Sequence, residues 1–296
     1  MGRIAFSLHN AGGGALQLAP PYYTLAFDGL GLADPEYATE AGPYQDGESI
    51  VNARWKSRTI TIGVNIAADD DDAYEAARQA LINILGTIRQ DVYFRATYPD
   101  GRQRQLDTRY LAGLTLPIEA SAGMYRTKSA FQLLAYRPLW YDPVTLVWSF
   151  ALGSGDSSFK WATSWPVGWG VSTIDSSETK LYPGTWDDLP IIEITGPADD
   201  LVIENESTGE KLDFTGHDID ASEVVTLDLR YGRKSLTSST GNTTLAHLTN
   251  DSDLGTFHVA ADPDAPGGLN IFRVACTGAQ AGTLIQMRLN PKYKGI

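Results

Sequence analysis

Val92-Tyr93-Phe94-Arg95-Ala96-Thr97-Tyr98, followed by Pro99-Asp100-Gly101, is the stretch around which the chain organises itself. Val92, Phe94, Ala96 and Tyr98 fall on one side of an extended backbone and Tyr93, Arg95 and Thr97 on the other. This is the period-two pattern of a half-buried strand. Pro-Asp-Gly supplies a turn, because proline presets a negative φ and glycine accepts a positive one. A returning strand and a second hairpin follow. Tyr125, Thr127, Ser129, Phe131, Leu133 and Ala135 then alternate with Arg126, Lys128, Gln132 and Leu134 as another long strand. The ladder stops at Arg137-Pro138, since proline has no amide hydrogen to donate. A first domain of residues 1–143 is expected to close on the aromatic and proline corner Pro138-Leu139-Trp140-Tyr141-Asp142-Pro143.

Working outward, Thr59 to Ile66 reads as a strand. Asp69 to Asp72 precede Tyr74, Ala77, Leu81, Leu85 and Ile88, whose three- and four-residue steps make one face of a helix over about 72–88. The four aspartates suit a helix N-terminus, where a side chain caps free amides and the macrodipole favours negative charge. A calcium loop would need a central glycine and a closing glutamate, and neither is in place. Tyr22 to Phe27 is a further strand, residues 1–20 an irregular lead-in, and residues 29–58 a long loop with few apolar positions. A loop of that length inside a domain is expected to be either an arm that reaches a neighbouring subunit or disordered. The first domain is therefore α+β: one helix on a mostly antiparallel sheet or split barrel.

In the second domain, residues 144–296, the pattern is all β from Leu189 onward. Ile191–Thr195, Leu201–Asn205, Lys211–Phe214, Val224–Leu229, Leu269–Val274 and Leu284–Leu289 are short strands separated by turn signals, the mark of a sandwich or jelly roll. Before them, five of the seven tryptophans lie between Trp148 and Trp186. Trp161, Trp165 and Trp169 are four apart, but Pro166, Gly168 and Gly170 interrupt any helix. With Trp186 they are candidates for stacking on a sugar ring or for a protein contact; aromatic packing of a loop or domain junction is the other reading.

The 296 residues carry a net charge of −13. Residues 1–143 hold 13 basic and 16 acidic side chains, residues 144–296 hold 10 and 20. A nucleic-acid binder needs a basic face, so the charge argues against that class. No stretch approaches the ~18 apolar residues of a membrane span. The single cysteine, Cys276, precludes an internal disulfide and reads as a buried strand residue. The four histidines share no metal-ligand spacing. Gly153-Ser154-Gly155 has its serine one place too early for a nucleophile elbow, and no phosphate-cradling loop is present. No catalytic, metal or cofactor site is assigned. Arg95, Arg102, Arg104 and Arg109 form the one basic cluster, expected on a solvated or subunit-facing strand surface.

In order and spacing these features resemble the distal tail protein family of siphophages. The resemblance rests on Arg58-Thr59-Ile60-Thr61-Ile62, the helix, the Tyr98–Gly101 hairpin and Tyr136–Tyr141. In the second half it rests on Tyr182-Pro183-Gly184-Thr185, Pro190–Pro197, Ile203–Gly209, Leu227–Gly232, Pro266–Asn270 and Asn290–Gly295. It implies a ring-forming α+β domain and a galectin-like jelly-roll domain outside the ring. It also implies a non-enzymatic homo-hexamer at the distal end of the virion tail, joining the tail tube protein to the tail-tip or baseplate hub. DNA would only transit the central channel. A receptor-binding protein or host glycan is a further expected partner, and no membrane is. Carbohydrate-binding host attachment is the alternative function, and a wall-degrading hydrolase a weaker one.

Overall fold

The computed structural model describes residues 3–117, 126–152, 173–241, 245–280 and 282–296. The chain divides into two compact units. The first comprises Met1–Pro143 and Tyr293–Ile296, the second Val144–Lys292.

The first unit contains β1 (Ala5–Asn10), β2 (Ala15–Gln17), β3 (Tyr22–Asp28), β4 (Pro35–Glu40), β5 (Ser49–Trp55), β6 (Arg58–Ala67), helix α1 (Asp71–Leu85), β7 (Val92–Thr97), β8 (Gln103–Ala112), β9 (Arg126–Ala135) and β10 (Trp140–Tyr141). Its main sheet runs β2-β1-β7-β8-β9-β6-β3, with every one of those pairings antiparallel. The alternation that identified β7 is realised residue by residue: Val92, Phe94 and Ala96 are fully buried. Across β6, Ile60, Ile62, Val64 and Ile66 are fully buried too. α1 lays Tyr74, Ala77, Leu81, Ile84 and Leu85 on the same core. Asp70 caps it, accepting from the Ala73 amide at 2.7 Å, so the acidic run acts as expected at a helix start. The helix ends at Leu85 and not at 88: Gly86 follows, and Ile88 is 71% exposed.

Two expectations fail here. Residues 1–20 are not an irregular lead-in, because β1 pairs with β7 over six residues and places Leu8 in the core. Residues 29–58 are not a loop. They fold into the two-stranded hairpin β4–β5, in register from Pro35↔Trp55 to Glu40↔Ser49 with one bulge. Cross-strand hydrogen bonds satisfy the backbone there without any apolar periodicity, which is why composition alone suggested a loop.

The second unit holds β11 (Leu146–Ala151), β12 (Ile174–Leu181), β13 (Ile191–Thr195), β14 (Ala198–Asn205), β15 (Glu210–Asp213), β16 (Asp218–Ile219), β17 (Val224–Asp228), β18 (Ser235–Ser238), β19 (Leu269–Thr277) and β20 (Leu284–Leu289). Two five-stranded antiparallel sheets result, β11-β20-β13-β17-β18 and β12-β19-β14-β15 with β16 beside β14. Both contribute to a single core that includes Trp148, Phe150, Ile192, Ile203, Phe214, Phe272 and Met287. That is a β-sandwich, with alternate residues of each strand turned inward.

Candidate functional site

The described residues contain no catalytic constellation. No group of three or more His, Cys, Asp or Glu among them is placed to hold a metal ion. Burial pushes the Cys276 thiol up to about 11, so it stays protonated and unreactive. Ser7 Oγ and His9 Nε2 lie 2.9 Å apart, a hydroxyl–imidazole pair of the sort that hydrolases use. Ser7 is 3% exposed, however, and cannot meet a substrate. Burial and then the Arg95 charge hold His9 below the usual imidazole range, leaving a neutral ring that satisfies a strand hydroxyl.

What the first unit offers instead is an arm and a polar sheet face. The arm is β4–β5. A two-stranded hairpin standing alone is marginal in water, and this one receives little cover from its own chain. Tyr37 is 55%, Ile50 63%, Val51 64% and Tyr44, in the turn, 106% exposed. Pro35, Tyr37, Ala53 and Trp55 are register partners on one face, while the other carries Glu36 and Arg54, ion-paired at 2.6 Å. Among the described residues, hydrogen bonds from the rest of the unit tie down the root. Arg58 Nη1 donates to the Gly31 carbonyl at 2.5 Å and Trp140 Nε1 to the Leu30 carbonyl at 3.2 Å. Gly29 has φ +81, and a Cβ there would lie 2.3 Å from the Thr59 carbonyl oxygen, so the strand-to-arm corner requires glycine.

The polar face is the side of β1, β7 and β8 turned away from the core. Arg95 donates twice to Gln105 Oε1, at 3.0 and 2.7 Å. The Gln105 amide donates to Tyr141 Oη, and that hydroxyl donates to Asp107 Oδ1, each at 2.6 Å. Arg137 closes the chain on Asp107 Oδ2 at 3.2 Å. A second set links Tyr136 and Arg109 through Asp91. Burial and then Asp107 drive the Tyr141 hydroxyl far above its ordinary value, so it remains a proton donor at any working pH. Each group in the network has its partner and its centre, Gln105 and Asp107, is buried, which leaves the face rigid and with little spare hydrogen-bonding capacity.

The arginine cluster read from the sequence is thus split by the pleat. Arg95 and Arg109 lie on the polar face. Arg102 pairs with Asp100 in the turn at 2.6 Å. Arg104 points into the core, with its guanidinium 3.2 Å from the Tyr293 ring centroid. Sequence spacing gave the cluster but not the β8 parity that divides it. Of the four tryptophans singled out, Trp161, Trp165 and Trp169 lie outside the described residues. Trp186 is half-buried and bridges to Lys292; its carbonyl accepts from the Tyr182 hydroxyl at 2.8 Å. The structure does not bring the four together as a described site.

Residues 20–108, which span β3 to most of β8, match the family described as phage tail protein RIFT-related domain. The match lies wholly within the first unit and covers the larger part of it. The chain as a whole superposes on the crystal structure of the SPP1 Dit protein, described as a paradigm of the hub adsorption apparatus in phages infecting Gram-positive bacteria. The TM-score is 0.59 at 13% identity, covering 97% of this chain and 98% of that one. The fold is that of a siphophage distal tail protein, in agreement with the resemblance found in the sequence. Two structures of the phage P2 baseplate in its activated conformation, with Ca and with Sr, align over 100% of both chains at TM-score 0.48 and 7% identity, too loosely to bear on the fold. Comparison with the curated proteins gives no match.

Proposed function

We propose that this chain is a structural, non-catalytic component of a phage tail tip: a distal tail protein whose copies close into a hexameric ring between the tail tube and the tip or baseplate hub. In this reading the first unit forms the ring around a channel through which DNA passes, and the second, a galectin-like jelly roll, lies outside it. The observation that carries the proposal is the match of fold, which covers 97% of the chain. The arm supports it, since a hairpin held at its root gains its stability from something beyond its own chain. Ring closure would also leave no sheet edge free for stray pairing.

Light scattering on the purified protein tests this directly. The expected particle has six times the 32.1 kDa chain mass. A particle of one chain mass at concentrations matching those in the virion would sink it. Trp161, Trp165, Trp169 and Trp186 remain the proposed contact for a host glycan or a receptor-binding protein. Glycan binding that disappears with Trp161→Ala or Trp169→Ala would support that role, and binding indifferent to both would remove it.

A further inference from the structure

The second unit contains one feature that neither ring formation nor tail joining uses. His217, in the turn between β15 and β16, and His247, in the short 3₁₀ turn Leu245–His247, stack face to face. Their ring centroids are 3.7 Å apart and their planes 20° from parallel. His217 Nε2 and His247 Nδ1 are both buried without a hydrogen-bond partner among the described residues. A buried ring nitrogen left unbonded is costly, so these rings are placed for each other and not for a polar partner.

The stack sits at the start of a segment that does the work of a missing strand. β15 is an edge of its sheet. Residues 249–253 run along that edge: the Thr249 amide donates to the Asp213 carbonyl and the Asp253 amide to the Lys211 carbonyl, each at 2.8 Å. In return the Lys211 amide donates to Asp253 Oδ2 and the Asp213 amide to Ser252 Oγ, each at 2.9 Å. The edge that β15 would otherwise present for pairing is covered.

We propose that the His217–His247 stack is an acid-released latch holding residues 245–253 against the outer edge of β15. One proton is tolerated, but a proton on each ring places two like charges in face contact. Relief comes from lifting the segment, which opens the backbone of Lys211 and Asp213 to an incoming strand. The charged groups acting on His217 are Glu223, Asp218 and Asp220, which favour its protonation. Burial first, and then His247, outweigh them and keep His217 below the ordinary value of 6.5. A histidine whose folded value is lowered binds fewer protons folded than unfolded. The latch is therefore fully stable above that ordinary value and loses stability as pH falls through and below it.

Amide exchange on the full chain between about pH 7.5 and about pH 5 tests the latch. After correction for intrinsic rates, exchange at Lys211, Asp213, Thr249 and Asp253 should rise about tenfold at the acid end, with the β13 and β17 amides unchanged. In His247→Phe, which keeps an aromatic face but takes no proton, the rise should vanish. Equal exchange at both pH values, or the same rise in His247→Phe, overturns the proposal. Proton NMR titration of the histidine rings in the unsubstituted protein gives an independent reading. A midpoint for His217 below the ordinary value of 6.5 is expected, and titration of His217 at that value overturns it.

Discussion

Tyr141 shows how much of this surface rests on single hydroxyls. It accepts from the Gln105 amide and donates to Asp107, and both of those side chains are buried. Tyr141→Phe leaves an amide and a carboxylate oxygen each short of a partner away from water. The expected loss is about 1–3 kcal/mol in the first unit, read as a lower urea midpoint with unchanged slope. Tyr136, whose hydroxyl bonds to Asp91 at an exposed position, makes the control: Tyr136→Phe should cost about 1 kcal/mol or less. Asp70→Ala removes the helix cap and should cost about 1 kcal/mol in the same unit, checked by the same titration. The cap was legible in the sequence because it is a local signal. The Tyr141 network was not, since it joins residues 34 to 36 positions apart through a strand pairing that no local pattern encodes.

At the scale of elements, the strands that the sequence revealed are those with one buried face. β13 and β20 were legible to the residue, at Ile191–Thr195 and Leu284–Leu289, because both alternate cleanly between core and outside. β12 was missed for the converse reason: Ile174–Leu181 is exposed along almost its whole length, so its inward positions carry no apolar signature. β4 and β5 were missed on the same ground. β1 did alternate, but its nearness to the glycine run Gly12–Gly14 obscured it. The sites follow the same logic, since a surface defined by what its own chain leaves uncovered has no sequence motif. The arm yields its own prediction. Arg54 and Lys56 are exposed, so trypsin should cut the isolated chain there quickly. If the arm is covered by a neighbouring copy, cleavage should slow by about tenfold or more in the assembled particle. Equal cutting of both forms, followed by mass spectrometry of the fragments, would rule the arm out as an assembly element.

For the whole molecule, connectivity matters as much as fold. The second unit occupies a continuous Val144–Lys292, whereas the first is completed by Tyr293–Ile296 after that excursion. Tyr293 is 7% exposed and lies in the first core beneath Arg104. Deleting residues 293–296 should therefore destabilise the first unit by about 3 kcal/mol and leave the second nearly untouched. Urea unfolding followed by amide exchange separates the two. Loss confined to the second unit would contradict the division. The order of synthesis has a consequence here. A nascent polypeptide emerges N-terminus first, so the portion that begins earliest is also the last to finish, lacking an aromatic plug until translation passes position 293. Until then the first unit would be a poor joiner, and assembly would draw on chains synthesised past that position.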